Sequence, residues 1–186
     1  MAVEFAQLST VKFQEKMKPA ALKVYQRLFP GCRIEDLRAE GVKVHVLDKE
    51  FGIDSLLIMR SQQWLSVQEK YRRVSAWKYR EFTQEYMNAA GTAHESPGEW
   101  FKLGAQVYFY GWADEEEESF SKWILLDIAR YKALVETLGG LDVIGTLQRN
   151  QRHGRSTFYA IPIAKLSRAM LATNIPDIGG RYVAFP

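Results

Sequence analysis

From position 9 onward the hydrophobic pattern is helical. Pro19 suits the first turn of a second helical piece carrying Leu22, Tyr25, Leu28 and Phe29, which Pro30-Gly31 ends. At Val42 the period drops to two. Val42, Val44 and Val46 alternate with Lys43, His45 and Leu47, which predicts a strand. Two more strands are expected over about 52–59 and 64–72, joined by a short polar turn around Ser61-Gln62. Segments 80–88 and 105–113, rich in Phe, Tyr, Thr and Trp, read as further strands, separated by a loop holding Gly91 and Pro97-Gly98. A short buried strand at 123–126 runs into a helix through Ala129, Lys132, Ala133 and Glu136, which Gly139-Gly140 terminates. A last strand at 156–163 precedes a short helical tail near Ala169. The expected class is α/β (α+β), with considerable antiparallel content.

Length and composition narrow this picture. At 186 residues, 47% of them apolar, with no internal repeat, low-complexity tract or long linker, the chain is expected to fold as one domain over 1–186. The start, MAVEFAQLSTVKFQEK, is charged where a secretory leader needs an apolar run, and no later stretch approaches membrane-spanning length. A soluble, cytoplasmic protein with no membrane partner is expected. Cys32 is the single cysteine, which excludes an intramolecular disulfide and a cysteine-rich zinc module. A Walker loop, a dinucleotide-binding glycine pattern and histidines paired at zinc spacing are all missing, and His45, His94 and His153 stand alone.

The net charge of +3 is too small to identify a nucleic-acid binder, but its distribution is uneven. Acidic residues run through 114–118, while basic ones gather at Arg72, Arg73, Lys78 and Arg80, and again at Arg149, Arg152, His153 and Arg155. Such segregation permits one basic face. The tryptophans and tyrosines are expected in the core, and no base-stacking role is assigned to them.

The candidate chemistry sits in GIDSLLIMRSQQWLSVQEKYRR. An antiparallel hairpin brings Asp54, near the start of one strand, beside a Gln-Glu-Lys triplet near the end of the next. Alternation puts Leu65, Val67 and Tyr71 on one face of the second strand and Ser66, Gln68, Lys70 and Arg72 on the other. A three-residue loop would set Asp54 opposite Gln68, and a loop of even length would set it opposite Glu69. The first register is favoured because Glu69 is in phase with Leu65 and Val67, the side expected to pack on a helix.

This spacing of an acidic residue, a gap and then a Q-x-K triplet resembles the PD-(D/E)XK, or restriction-endonuclease-like, nuclease superfamily. Asp54, Gln68 and Lys70 match its positions, with Ile53 where the motif name has proline and Gln68 where it has an acid. The resemblance implies a mixed β-sheet flanked by helices, with an initial helix before three strands. That core would span about 9–138, followed by a C-terminal strand and helix over 139–186. It also implies a compact, phage or mobile-element type, divalent-metal-dependent nuclease hydrolysing phosphodiester bonds in DNA, with magnesium (Mg2+) or manganese (Mn2+) as cofactor. Asp54, Gln68 and the backbone carbonyl of Glu69 would hold the metal, and Lys70 would orient the attacking water. Glutamine offers a hard cation a neutral oxygen in place of a charged one, so another carboxylate is expected to compensate. Glu15 on the first helix is the natural candidate, and Glu85 is a further one. Arg72, Arg73, Arg149, Arg152 and Arg155 would contact DNA phosphates. The alternative is a non-catalytic nucleic-acid-binding module with a degenerate nuclease fold, and a third possibility is an assembly protein with an aromatic contact surface.

Overall fold

A computed structural model describes residues 9–37, 42–150 and 155–178. The chain opens with α1 (Ser9–Leu28), whose buried stripe of Phe13, Met17, Ala20, Ala21, Val24 and Tyr25 follows helical spacing. Pro19 lies inside this helix instead of opening a second one. The stripe passes through Pro19 without a change of phase, so continuous burial outweighs the roughly 3 kcal/mol that an interior proline costs.

A short edge strand, β1 (Arg33–Asp36), comes next, and then α2 (Val42–Phe51), where alternation of valine with polar residues predicted a strand. A five-residue alternation is weak against the signal that follows it. Gly52, at φ +55°, donates its N–H to Asp48 O at 3.0 Å and so closes the helix with a left-handed cap.

The remaining elements are β2 (Ser55–Ile58), β3 (Trp64–Arg72), a 3-10 helix at Val74–Tyr79, β4 (Glu81–Asn88), β5 (Ser96–Pro97) and α3 (Glu99–Lys102). They continue with β6 (Val107–Ala113), β7 (Phe120–Asp127), α4 (Ile128–Thr137), α5 (Leu141–Ile144), β8 (Thr146–Arg149) and β9 (Thr157–Pro162). The expected helical tail near Ala169 is a 3-10 helix at Ile163–Ala169, and it leads into a strand the pattern did not announce, β10 (Met170–Thr173).

Among the described residues these strands form two sheets, which makes the fold α+β. Six strands run in the order β1-β2-β3-β6-β7-β10, and four in the order β5-β4-β9-β8. Only β3 and β6 pair in parallel, so the larger sheet is mixed and the smaller one is antiparallel.

Side-chain alternation gives the larger sheet two buried faces. Val67, Tyr71, Val107, Phe109 and Leu125 pack with α1, while Tyr108, Tyr110, Trp112, Ile124 and Leu126 pack with Phe82 and Ile161 of the second sheet and with Tyr131 of α4. All seven residues of β6 are buried, as a strand covered on both faces requires. No helix among the described residues is long and apolar enough to cross a membrane.

Candidate functional site

The hairpin between β2 and β3 sets the site. Its strands pair Ser55 with Val67, Leu56 with Ser66, Leu57 with Leu65 and Ile58 with Trp64. Met59 N–H donates to Gln63 O at 2.8 Å and Gln62 N–H donates to Met59 O at 3.0 Å, with Gln62 at φ 65°. The loop is therefore Arg60, Ser61 and Gln62, a turn closed by a left-handed residue. One step back along this register brings Asp54 level with Gln68.

Asp54 is 2% exposed, and its Oδ2 accepts from Gln68 Nε2 at 2.8 Å and from the Glu69 N–H at 2.6 Å. Within a strand a residue's N–H and C=O project to the same side. The Glu69 carbonyl is therefore directed to the edge where Asp54 lies. One residue pair further, Gln14 of α1 takes over that edge, donating to Tyr71 O at 2.9 Å and accepting from Tyr71 N–H at 3.1 Å.

The Glu69 side chain turns the other way. It accepts from Tyr25 OH at 2.8 Å and from Ser55 Oγ at 3.2 Å, on the α1 face. Burial and then the Glu69 charge push the Tyr25 hydroxyl well above its ordinary value, which keeps it a donor. Of the two alternatives weighed from sequence, the odd register with Gln68 beside Asp54 is the one observed.

Lys70, two residues beyond Gln68, reaches Glu99 Oε2 at 3.5 Å and Thr83 O at 3.3 Å. Burial disfavours its charge, yet the Glu99 and Glu85 carboxylates together hold its ammonium above the ordinary value. Glu99 is itself fixed, accepting at Oε1 from Gln84 Nε2 at 3.0 Å and from Tyr108 OH at 2.5 Å. Burial, then the Glu99 charge, raises the Tyr108 hydroxyl well above its ordinary value. Burial also pushes the Glu85 carboxyl up, against the pull of Lys70.

What carries Glu99 to this place is Gly98. Its N–H donates to Tyr86 O at 2.7 Å, and a Cβ there would stand 2.7 Å from the Tyr86 carbonyl carbon. Only a glycine lets α3 close onto β4 this tightly. Sequence reading missed Glu99, Gln84 and Tyr108, and the Pro97-Gly98 pair that seats Glu99 reads locally as an ordinary loop.

The other expected residues are dispersed. Glu15 is exposed, and its neighbour Gln14 is the α1 residue that meets β3. Glu85 is half-buried and within electrostatic reach of Lys70. Arg72 donates to Thr83 Oγ1 at 3.4 Å. Arg73 pairs with Glu117, in the acidic run, and lies over the Phe13 ring.

Arg149 donates to Ala90 O at 2.6 Å, and Arg155 is exposed. Arg149 pairs through Thr157 with the Met87 end of β4, about 13 Å along that strand from Thr83. Arg152 and His153 lie outside the described residues, as does the side chain of His45. Glu117 folds back onto Lys16 and Arg73, which sets these two basic side chains against the acidic run.

The oxygens that a hard cation would meet here are those of the Asp54 carboxylate, the Gln68 amide and the Glu69 carbonyl. Gln68 Oε1 is buried with no hydrogen-bond partner, so a neutral oxygen donor beside Asp54 is uncommitted. This donor type suits magnesium or manganese. Its charge is low, since no group of three or more His, Cys, Asp or Glu among the described residues converges to hold a metal. No family model, curated protein or solved structure matches this chain.

Proposed function

We propose that the chain is a divalent-metal-dependent nuclease acting on DNA phosphodiester bonds, with Asp54, Gln68 and Lys70 at its centre. The observation that carries this reading is the three-residue hairpin loop. It leaves the Asp54 carboxylate bonded to the Gln68 amide and the Glu69 N–H, with Lys70 two positions further along the same strand. The order of elements supports it too, since an initial helix, three strands paired antiparallel in succession and a parallel neighbour of the third make a mixed sheet of the kind the motif resemblance implies.

When bound, magnesium or manganese supplies a Lewis acid for a phosphoryl oxygen and an acidified water. Asp54 would be the charged ligand, and Gln68 Oε1 and the Glu69 carbonyl the neutral ones. A half-turn of the Gln68 amide exchanges the nitrogen now on Asp54 for its oxygen. Lys70 acts as a cation and not as a base, because Glu99 and Glu85 keep its ammonium charged. Its role is to orient the attacking water and to balance negative charge that accumulates at phosphorus. Glu99 and Glu85 supply the negative charge nearest to Lys70.

A nicking assay with added magnesium or manganese tests the reading. Asp54→Ala is expected to abolish cleavage, and Lys70→Ala to lower it by about 10²-fold or more, with circular dichroism unchanged in both. Cleavage at the parental rate in both variants removes the assignment.

One observation favours the second reading, a non-catalytic nucleic-acid-binding module. The Gln68 Nε2–H now occupies the carboxylate oxygen that a cation would take. Calorimetry separates the two readings: salt-dependent DNA binding with no heat of magnesium binding and no cleavage selects the binding module.

A further inference from the structure

The face of β3 that carries Gln68 does not end at the site. Ser66 and Trp64 follow at alternate positions, and Trp64, expected in the core with the other tryptophans, is instead 62% exposed, about 13 Å from Gln68 along the strand. The hairpin register sets Ile58 beside Trp64, and the next pairing sets Arg33 of β1 beside Ile58. A guanidinium, an aliphatic side chain and an indole thus form one row across three strands. Leu56 and Ile53 extend its apolar part, and Leu47 of α2 forms the opposite wall of a cleft of about 380 Å³. That volume falls within the roughly 300–1,000 Å³ of small-ligand sites.

We infer that this cleft binds an unpaired nucleobase, its π face on Trp64 and its phosphate on Arg33, so that the nuclease proposed above takes single-stranded DNA. The inference rests on that reading for its catalytic sense but not for its binding chemistry. In a duplex the base faces are stacked against one another, and an apolar row meets only sugar and phosphate, with which it has nothing to exchange. A single strand offers bare π faces that stack on exposed aromatics. Arg33 is exposed and makes no ion pair among the described residues, so its charge is available to a phosphate. The row lies on the face of β3 that carries Gln68, with the buried Ser66 between them.

Tryptophan fluorescence without added metal tests binding apart from cleavage. A short oligothymidylate is expected to quench the parental protein and to quench Trp64→Phe less, since Trp64 is one of five tryptophans. Trp64→Ala should weaken single-strand affinity about ten-fold and Trp64→Phe much less, with duplex binding unmoved in both. Arg33→Ala should lower the slope of log affinity against log salt by about one unit for the single strand. Equal effects on duplex and single strand, or no effect of Trp64→Ala, overturn the inference. So does a concentration-dependent dimer, seen by sedimentation, that buries Trp64 and excludes the oligonucleotide. If no metal supports cleavage while Trp64-dependent single-strand binding persists, the cleft stands and the nuclease reading falls. If cleavage is metal-dependent but insensitive to Trp64→Ala, the cleft falls and the nuclease reading stands.

Discussion

At the scale of single residues, the site divides into a part that sequence pattern exposes and a part that it hides. Asp54, Gln68 and Lys70 are legible because strand alternation and an odd loop are local properties. Glu99 is not, because nothing near it in sequence says that a buried lysine will stand opposite. Glu85 falls between, being flagged as an acid on a strand but with its neighbours supplied by tertiary structure. Those neighbours set a pH dependence. Burial holds the folded Glu85 carboxyl above its ordinary value, so between that value and the raised one the folded state binds more protons than the unfolded state. Stability therefore falls as pH rises through the window that begins at the ordinary glutamate value. Glu85→Gln removes this loss. Urea unfolding at about pH 4 and about pH 7 should show the variant gaining on the parent as pH rises. A stability difference that stays constant across that range contradicts the burial of Glu85.

At the scale of elements, the strands with the strongest alternation or burial were the best read. The third strand spans the residues its pattern indicates, 64–72, because its two faces meet different environments along its whole length. The valine-rich segment at 42–47 was misread because β-branched alternation over so few residues is overruled by tertiary context and by the glycine cap at Gly52. Strands β1, β8 and β10 carry four residues each and are not marked by the pattern, whereas β2, equally short, is announced by the polar turn that joins it to β3. The link from element to chemistry is clearest at Gly98, where α3 meets β4. A methyl group there meets the Tyr86 backbone, so Gly98→Ala must push α3 outward. A cost of about 1–3 kcal/mol is expected from such overpacking, measured as a lowered urea midpoint. If the nuclease reading holds, turnover should fall further than stability alone explains, because Glu99 retreats from Lys70. A variant with parental midpoint and parental turnover contradicts the close approach.

At the scale of the whole molecule, two apolar cores flank the larger sheet, and β3 carries buried polar residues between them: Ser66 and Gln68 on one face, and Glu69, tied to Tyr25 and Ser55, on the other. Seven fully buried aromatic side chains lie in the two cores that flank this sheet: Tyr25, Tyr108, Tyr110, Tyr131, Phe82, Phe109 and Trp112. Burying an ion pair in such surroundings is seldom favourable, because desolvation of both charges offsets most of their attraction. The Lys70–Glu99 pair, with side chains 23% and 11% exposed, provides the test. Lys70→Met alone should cost about 3 kcal/mol or more, because Glu99 is left as an uncompensated buried charge. The double variant Lys70→Met with Glu99→Leu should recover part of that cost and not all of it, because Gln84 Nε2 and Tyr108 OH lose their acceptor, and, if the nuclease reading holds, it should lose all cleavage. Thermal and urea unfolding of the parent, both single variants and the double variant measures this directly. If the double variant is less stable than either single one, the pair belongs to the architecture of the sheet and its presence says nothing about catalysis.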